Sequence, residues 1–139
     1  MSNSVVVVTG GSGGIGQALI KKYLQERCFV ISADLGKTTN FDHKNFSFLQ
    51  CNVECENSIN SLFEFVLNKY SRFEYFFSNA GILSLGDENS SNFDWEKNWK
   101  LHLMSHVFVS RKLLPIFKKQ KFGYLLITAS AAGLLTHID

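Results

Sequence analysis

Val5-Val-Val-Val-Thr9 runs straight into Gly10-Gly-Ser-Gly-Gly-Ile-Gly16, and Ile15, Ala18, Leu19 and Tyr23 then recur at helical spacing. A β-branched run ended by glycines reads as a buried strand. The spacing after it reads as a helix, so the glycines occupy a strand-to-helix turn. That position has a chemical meaning. A helix N-terminus presents unpaired N–H groups and partial positive charge, which suit a phosphate. Glycines let the chain turn tightly, let the phosphates approach without a Cβ in the way, and let helix and strand pack closely.

The same alternation continues along the chain. Phe29 to Ile31 reads as a second strand stopped at Asp34, and Phe46 to Gln50 as a weaker third. Ile59, Leu62, Phe63, Val66, Leu67 and Tyr70 mark a helix, with Asn57 or Ser58 as its expected cap. Phe73 to Phe77 reads as a fourth strand. Trp95 to Phe117 reads as one long helix with Trp99, Leu103, Val107 and Leu114 on its apolar side, ended or bent at Pro115. Tyr124 to Ile127 is the fifth strand. The order predicts an α/β fold, a parallel sheet wrapped by helices, whose strands are covered on both faces. Gly36 to Asn40 is poor helix material, and a loop is expected there.

The glycine segment fits more than one pattern. Gly11-x-Gly13-x-x-Gly16 matches the dinucleotide fingerprint. Gly11-x-x-x-x-Gly16 also matches the start of a P-loop, but Gln17 and Ala18 stand where a P-loop needs Lys and Ser or Thr. Thr9-Gly10-x-x-x-Gly14-Ile15-Gly16 is the specific match, and it resembles the glycine motif of the short-chain dehydrogenase/reductase family. Asp34 ends the second strand. A carboxylate there accepts from the adenosine ribose hydroxyls and repels a 2′-phosphate, which favours NAD over NADP. Lys37 tempers that preference.

The resemblance covers nearly the whole chain, and it implies a set of roles. The cofactor-binding residues would be Gly10, Ser12, Gly14, Ile15, Gly16 and Asp34, then Asn52 and Val53 beside the adenine, then Asn79, Ala80 and Gly81. Asn52 stands where the family carries Asp. Its amide oxygen can still accept from the adenine amino group. Ser78 replaces the first Asn of the family's Asn-Asn-Ala-Gly turn. His102 aligns with the family's helix asparagine, which holds a water of the proton relay, and imidazole can pass a proton too. Ser130 aligns with the catalytic serine that hydrogen-bonds the substrate oxygen.

The family's tyrosine and lysine are expected beyond Ser130. No tyrosine of this chain has a lysine four residues on: Tyr23 is followed there by Arg27, Tyr70 by Glu74, Tyr75 by Asn79 and Tyr124 by Thr128. The resemblance therefore implies one Rossmann-type NAD(P)-binding domain over residues 1–139. It would have strand order 3-2-1-4-5, be truncated after strand five, and form the N-terminal part of an oxidoreductase acting on a carbonyl or alcohol. The alternative is a non-catalytic nucleotide-binding or interaction module. A methyltransferase with a similar first βαβ unit is disfavoured by Thr9-Gly10 and by the Asn79 and Ser130 segments.

Composition bounds the rest. The chain has 139 residues, 45% of them hydrophobic and 19% charged, which suits a folded core and not a disordered chain. A net charge of +2 gives no general case for nucleic acid or a membrane as partner. Lys97 to Lys121 holds seven basic residues and no acidic one, but they are spread among apolar positions and read as a solvated helix face. Three cysteines at irregular spacing, Cys28, Cys51 and Cys55, form neither a disulfide framework nor a zinc pattern, so no metal is expected. Reduced cysteines and the absence of a leader pattern point to the cytoplasm. With strand five left as an edge, Tyr124 to Thr128 is expected to pair with other chains, making the protein a homo-oligomer.

Overall fold

The computed structural model describes residues 3–36 and 41–134. Five parallel strands form one sheet: β1 (Val5–Thr9), β2 (Phe29–Asp34), β3 (Phe46–Gln50), β4 (Tyr75–Ser78) and β5 (Tyr124–Ile127). Their order is β3-β2-β1-β4-β5, as expected. Helices α1 (Gly14–Gln25) and α2 (Glu56–Tyr70) follow β1 and β3. Between β4 and β5 come α3 (Asn92–Trp99), a π-helical turn (Lys100–Met104) and α4 (Ser105–Gln120). Residues 37–40, which include Lys37 and most of the expected loop, lie outside the described residues; 35–36 and 41–45 on either side form no helix.

The valines of β1 divide the interior. Val5 and Val7 face one cluster, built with Ile31, with Ile59, Leu62, Phe63 and Val66 of α2, and with Val109 and Leu113 of α4. Val6 and Val8 face the other, built with Val30, Phe77 and Ile20 and Leu24 of α1. Strand side chains alternate between faces, so one unbroken apolar run serves two layers of helices.

Four expectations need correction. The fourth strand begins at Tyr75, two residues later than the pattern implies, because the backbone of Phe73 is paired with a side chain. Phe73 N–H donates to Gln120 Oε1 at 3.1 Å and Gln120 Nε2 donates to Phe73 O at 2.7 Å. Helix α2 begins after Cys55, with no side-chain cap. Asn57 and Ser58 lie inside its first turn, and Ser58 Oγ instead accepts the N–H of Asn52 at 2.9 Å.

The long helix is interrupted. The π-helical turn adds residues to one turn and shifts the face presented to the core. The buried positions are Leu101, Ser105, Val109 and Leu113, while Trp99, Leu103 and Leu114 are exposed. Pro115 does not end α4, which continues to Gln120. Proline deprives the Arg111 carbonyl of its helical donor, but Arg111 is exposed and water can replace it. Finally, β5 is not covered on both faces: Tyr124, Leu126 and Ile127 are all exposed.

Candidate functional site

The sheet order reverses direction at β1, whose neighbours β2 and β4 lead the chain to opposite sides. A crevice opens at the carboxyl ends of strands at such a switch point. Here it is a cleft of about 520 Å³. Eleven residues anticipated as cofactor-binding surround it: Gly10, Ser12, Gly14, Ile15, Gly16, Asp34, Asn52, Val53, Asn79, Ala80 and Gly81.

The glycine turn is shaped by contacts that leave no room for side chains. Gly10 has φ +69°, and a Cβ there would lie 2.7 Å from Ala80 Cα. A Cβ on Gly16 would land on the carbonyl oxygen of Gly10. The turn and the first residues of α1 therefore pack backbone to backbone, and the N-terminus of α1 borders the cleft.

Asp34 is bound to that turn. Its Oδ2 accepts from Ser12 N–H at 2.9 Å and from Ser12 Oγ at 2.5 Å, and its Oδ1 accepts from Gly36 N–H at 3.2 Å. Burial works to raise its pKa, but the Ser12 hydroxyl and the backbone N–H groups of Ser12, Gly36 and Leu35 outweigh it and hold the carboxyl below the usual carboxylate range. The site thus carries a fixed negative charge between the glycine turn and the end of β2.

Asn52 follows β3 at the far end of the cleft. Its Oδ1 accepts the N–H of Glu54 at 3.0 Å. Asn79 sits where three strands end. Its Nδ2 donates to Thr9 O at 3.1 Å, and its Oδ1 accepts from Thr128 Oγ1 at 2.8 Å.

Thr9 entered the sequence reading only as the start of the glycine motif, and its bonding role was not anticipated. It is buried, its Oγ1 donates to Phe77 O at 3.2 Å, and it accepts the N–H groups of Asn79 at 2.9 Å and Ala80 at 3.1 Å. The sign was available: a hydroxyl residue at the end of an all-valine strand needs partners once it is buried. Lys97, Leu101, Glu54 and Thr128 also line the cleft without having been anticipated.

The two anticipated catalytic residues stand apart from the others. His102 lies in the π-helical turn, exposed, and does not line the cleft. Its Cε1 lies 3.0 Å from where a Cβ on Gly81 would sit, which places the ring against the β4 turn. Ser130 lies beyond β5, exposed, at the start of a short turn in which Gly133 N–H donates to Ser130 O at 3.2 Å. A further histidine was unforeseen. His106 Nδ1 and Ser78 Oγ share a hydrogen bond of 2.6 Å. Burial first, and the neighbouring His102 second, push the His106 pKa below the ordinary histidine value. Among the described residues, no group of three or more acidic, histidine or cysteine side chains could hold a metal ion, and no helix is long and apolar enough to cross a membrane.

Known proteins resemble this chain in sequence and in fold. The peroxisomal hydratase-dehydrogenase-epimerase of Neurospora crassa is 29% identical over 94% of this chain and 16% of its own length. The asnovolin H dehydrogenase of Aspergillus novofumigatus is 29% identical over 94% of this chain and 52% of its own length. A short chain dehydrogenase from Leptospira borgpetersenii, solved with bound NAD+, superposes with a TM-score of 0.89 at 22% identity, over 96% of this chain and 54% of that one. The chain thus spans about half, or less, of the proteins it matches. The sequence pattern of the short chain dehydrogenases matches residues 4–138. With that match over nearly its whole length and the sheet order, glycine turn and cleft in place, the chain belongs to the short chain dehydrogenase family.

Proposed function

We propose that this chain binds NAD in the cleft at the carboxyl ends of its strands, and that it supplies the dinucleotide-binding half of an oxidoreductase interconverting a carbonyl and an alcohol. The observation that carries the reading is Asp34, held ionised against the glycine turn by Ser12. A pyrophosphate at the N-terminus of α1 places the adenosine ribose beside that carboxylate. The fit is favourable because Gly14, at the start of α1, has open space where a Cβ would sit, so phosphates can approach the backbone there.

Asp34 would accept from the ribose hydroxyls through the lone pairs that Ser12 and Gly36 leave available. Its charge would repel a 2′-phosphate, so NAD is preferred over NADP. The purine would lie at Asn52 and Val53, and the nicotinamide over the ends of β4 and β5. When bound, the cofactor supplies hydride chemistry. The chain's own part is binding and orientation. Asn79 and Thr9 fix the floor on which the cofactor rests. Ser130 follows β5 at that end and would donate to a substrate oxygen. His102 would support proton movement from the π-helical turn.

Calorimetry with NADH and NADPH tests this. NADH should bind more tightly, and Asp34→Ala should narrow the gap. Equal affinities for the two in the unmodified chain would remove the case for NAD. The 139 residues contain no tyrosine with a lysine four positions later. The chain alone is therefore proposed to bind without measurable turnover, since positioned acid–base help contributes about 10²–10⁴-fold. Turnover that vanishes in Ser130→Ala would contradict that. We also propose self-association, supported by the exposure of Trp99, Leu103 and Leu114 along the helix following β4.

A further inference from the structure

The turn after β4 is braced by two histidines from the segment that follows α3. His106, in the first turn of α4, bonds through Nδ1 to Ser78 Oγ at 2.6 Å. His102, in the π-helical turn, lays its ring against Gly81. Its Cε1 lies 3.0 Å, and its Nδ1 3.5 Å, from where a Cβ on that glycine would sit. The two contacts fall at the start and the end of Ser78-Asn-Ala-Gly81. Asn79, Ala80 and Gly81 of that turn line the cleft.

Ser78 can pass this constraint on. It is buried, and its carbonyl accepts the N–H of Thr128 at 3.1 Å. Thr128 lines the cleft as well, and its Oγ1 donates to Asn79 Oδ1 at 2.8 Å. One residue thus underlies two pieces of the wall, the turn after β4 and the chain after β5. The adenosine end is built separately: Ser12 bonds to Asp34, and Asn52 to Ser58 and Glu54. An imidazole suits the brace, because Nδ1 can receive from a hydroxyl or donate to it. A side chain without nitrogen would take that partner from a buried hydroxyl. We propose that His106 is a positioning residue for the nicotinamide end of the cleft: its bond to Ser78 fixes the β4 turn on which that half of the dinucleotide rests. His106 does not itself line the cleft, so it acts through Ser78. The inference rests on the dinucleotide reading above.

Calorimetry on the full chain decides it, with NADH and ADP as probes. ADP carries the adenosine and the pyrophosphate but no nicotinamide, so it reports on the other end alone. His106→Leu should weaken NADH binding about tenfold and leave ADP within about twofold. His106→Asn, whose amide can stand where Nδ1 does, should bring NADH back to within about threefold of the unmodified chain. Ser78→Ala should weaken NADH as His106→Leu does, and the double variant should be no weaker than either single one, since all three lose the same bond. Equal weakening of NADH and ADP, unchanged NADH binding in His106→Leu, no recovery in His106→Asn, or additive losses in the double variant would each overturn the proposal and leave the dinucleotide reading standing. Should His106→Leu fail to melt cooperatively, the NADH and ADP affinities of Ser78→Ala decide by the same criterion. Failure of the unmodified chain to bind NADH would overturn the proposal together with the reading beneath it.

Discussion

Around β1 the chain is sealed on every side, with Val5, Val6, Val7 and Val8 all at 0% exposure. Two strands away, β5 is just as apolar, yet Tyr124, Leu126 and Ile127 are exposed at 54, 38 and 49%. The difference is one of position. β1 lies between β2 and β4 with α1 on one face and α2 and α4 on the other. β5 pairs only with β4 among the described residues, and just its Leu125 packs into the cluster beneath α2 and α4. On the opposite face a row of aromatics spreads outward from α1. Tyr23 meets Tyr75 at 5.8 Å between ring centroids, Tyr75 stacks on Tyr124 at 5.4 Å, and Phe122 meets Tyr124 edge-on at 5.5 Å. Apolar composition makes a strand eligible for burial, and its neighbours decide whether burial happens.

The contrast can be broken by measurement. Phe76 is fully buried and packs on Phe63 and Phe73. Phe76→Ala should cost about 3–5 kcal/mol, whereas Leu126→Ala should cost roughly 1 kcal/mol or less. Urea melts of the two variants compare the regions directly, and equal losses would show that β5 is as well packed as β1.

A second experiment sharpens the same point through association. At micromolar concentration the chain should sediment as an oligomer or aggregate, and Leu126→Lys should shift it toward monomer without unfolding it. A strand covered on both faces would not accept the lysine. A clean, cooperatively melting monomer before any substitution would mean that another segment covers the edge.

Two smaller effects depend on pH. The Asp34 pKa is lowered on folding, so its contribution to stability is complete above the ordinary carboxylate value of about 3.9 and is lost as pH falls through the folded value. Asp34→Asn should flatten that acid limb of a thermal-melt profile. The His106 pKa is also lowered, and here the favoured form is neutral. Its contribution is complete above about 6.5 and declines as pH falls toward the folded value. His106→Gln should reduce the slope of stability between neutral and mildly acidic pH, and an unchanged slope would remove His106 as its source.

What was legible in the sequence was local. The β1 valines, the glycines and Asp34 lie within 30 residues of one another, and each announces its role by residue type. The α2 pattern is equally direct, because its apolar residues keep one period throughout. The helix after β4 was misread because a single π-helical turn breaks that period, and no residue type in Lys100–Met104 marks the break. Thr9 and Ser78 were noticed for their place in motifs, but what they bond to was hidden for a different reason. Their partners, Asn79 and His106, come from distant segments, and only the fold brings a hydroxyl to each. The open edge of β5 was legible from the strand order, but the bareness of its faces was not, since its own sequence is that of an interior strand.

The side chain of Asn79, finally, bears on how the molecule breathes. One amide ties the carboxyl end of β1 to Thr128, just past β5, while its own backbone N–H is bonded to Thr9. None of these three strand ends can fray without disturbing the other two. Local opening at the floor of the cleft should therefore occur as a single event, and the amide protons of Gly10, Asn79, Ala80 and Thr128 should exchange with solvent deuterium at a shared opening rate. Asn79→Ala would be expected to split that shared rate into separate ones.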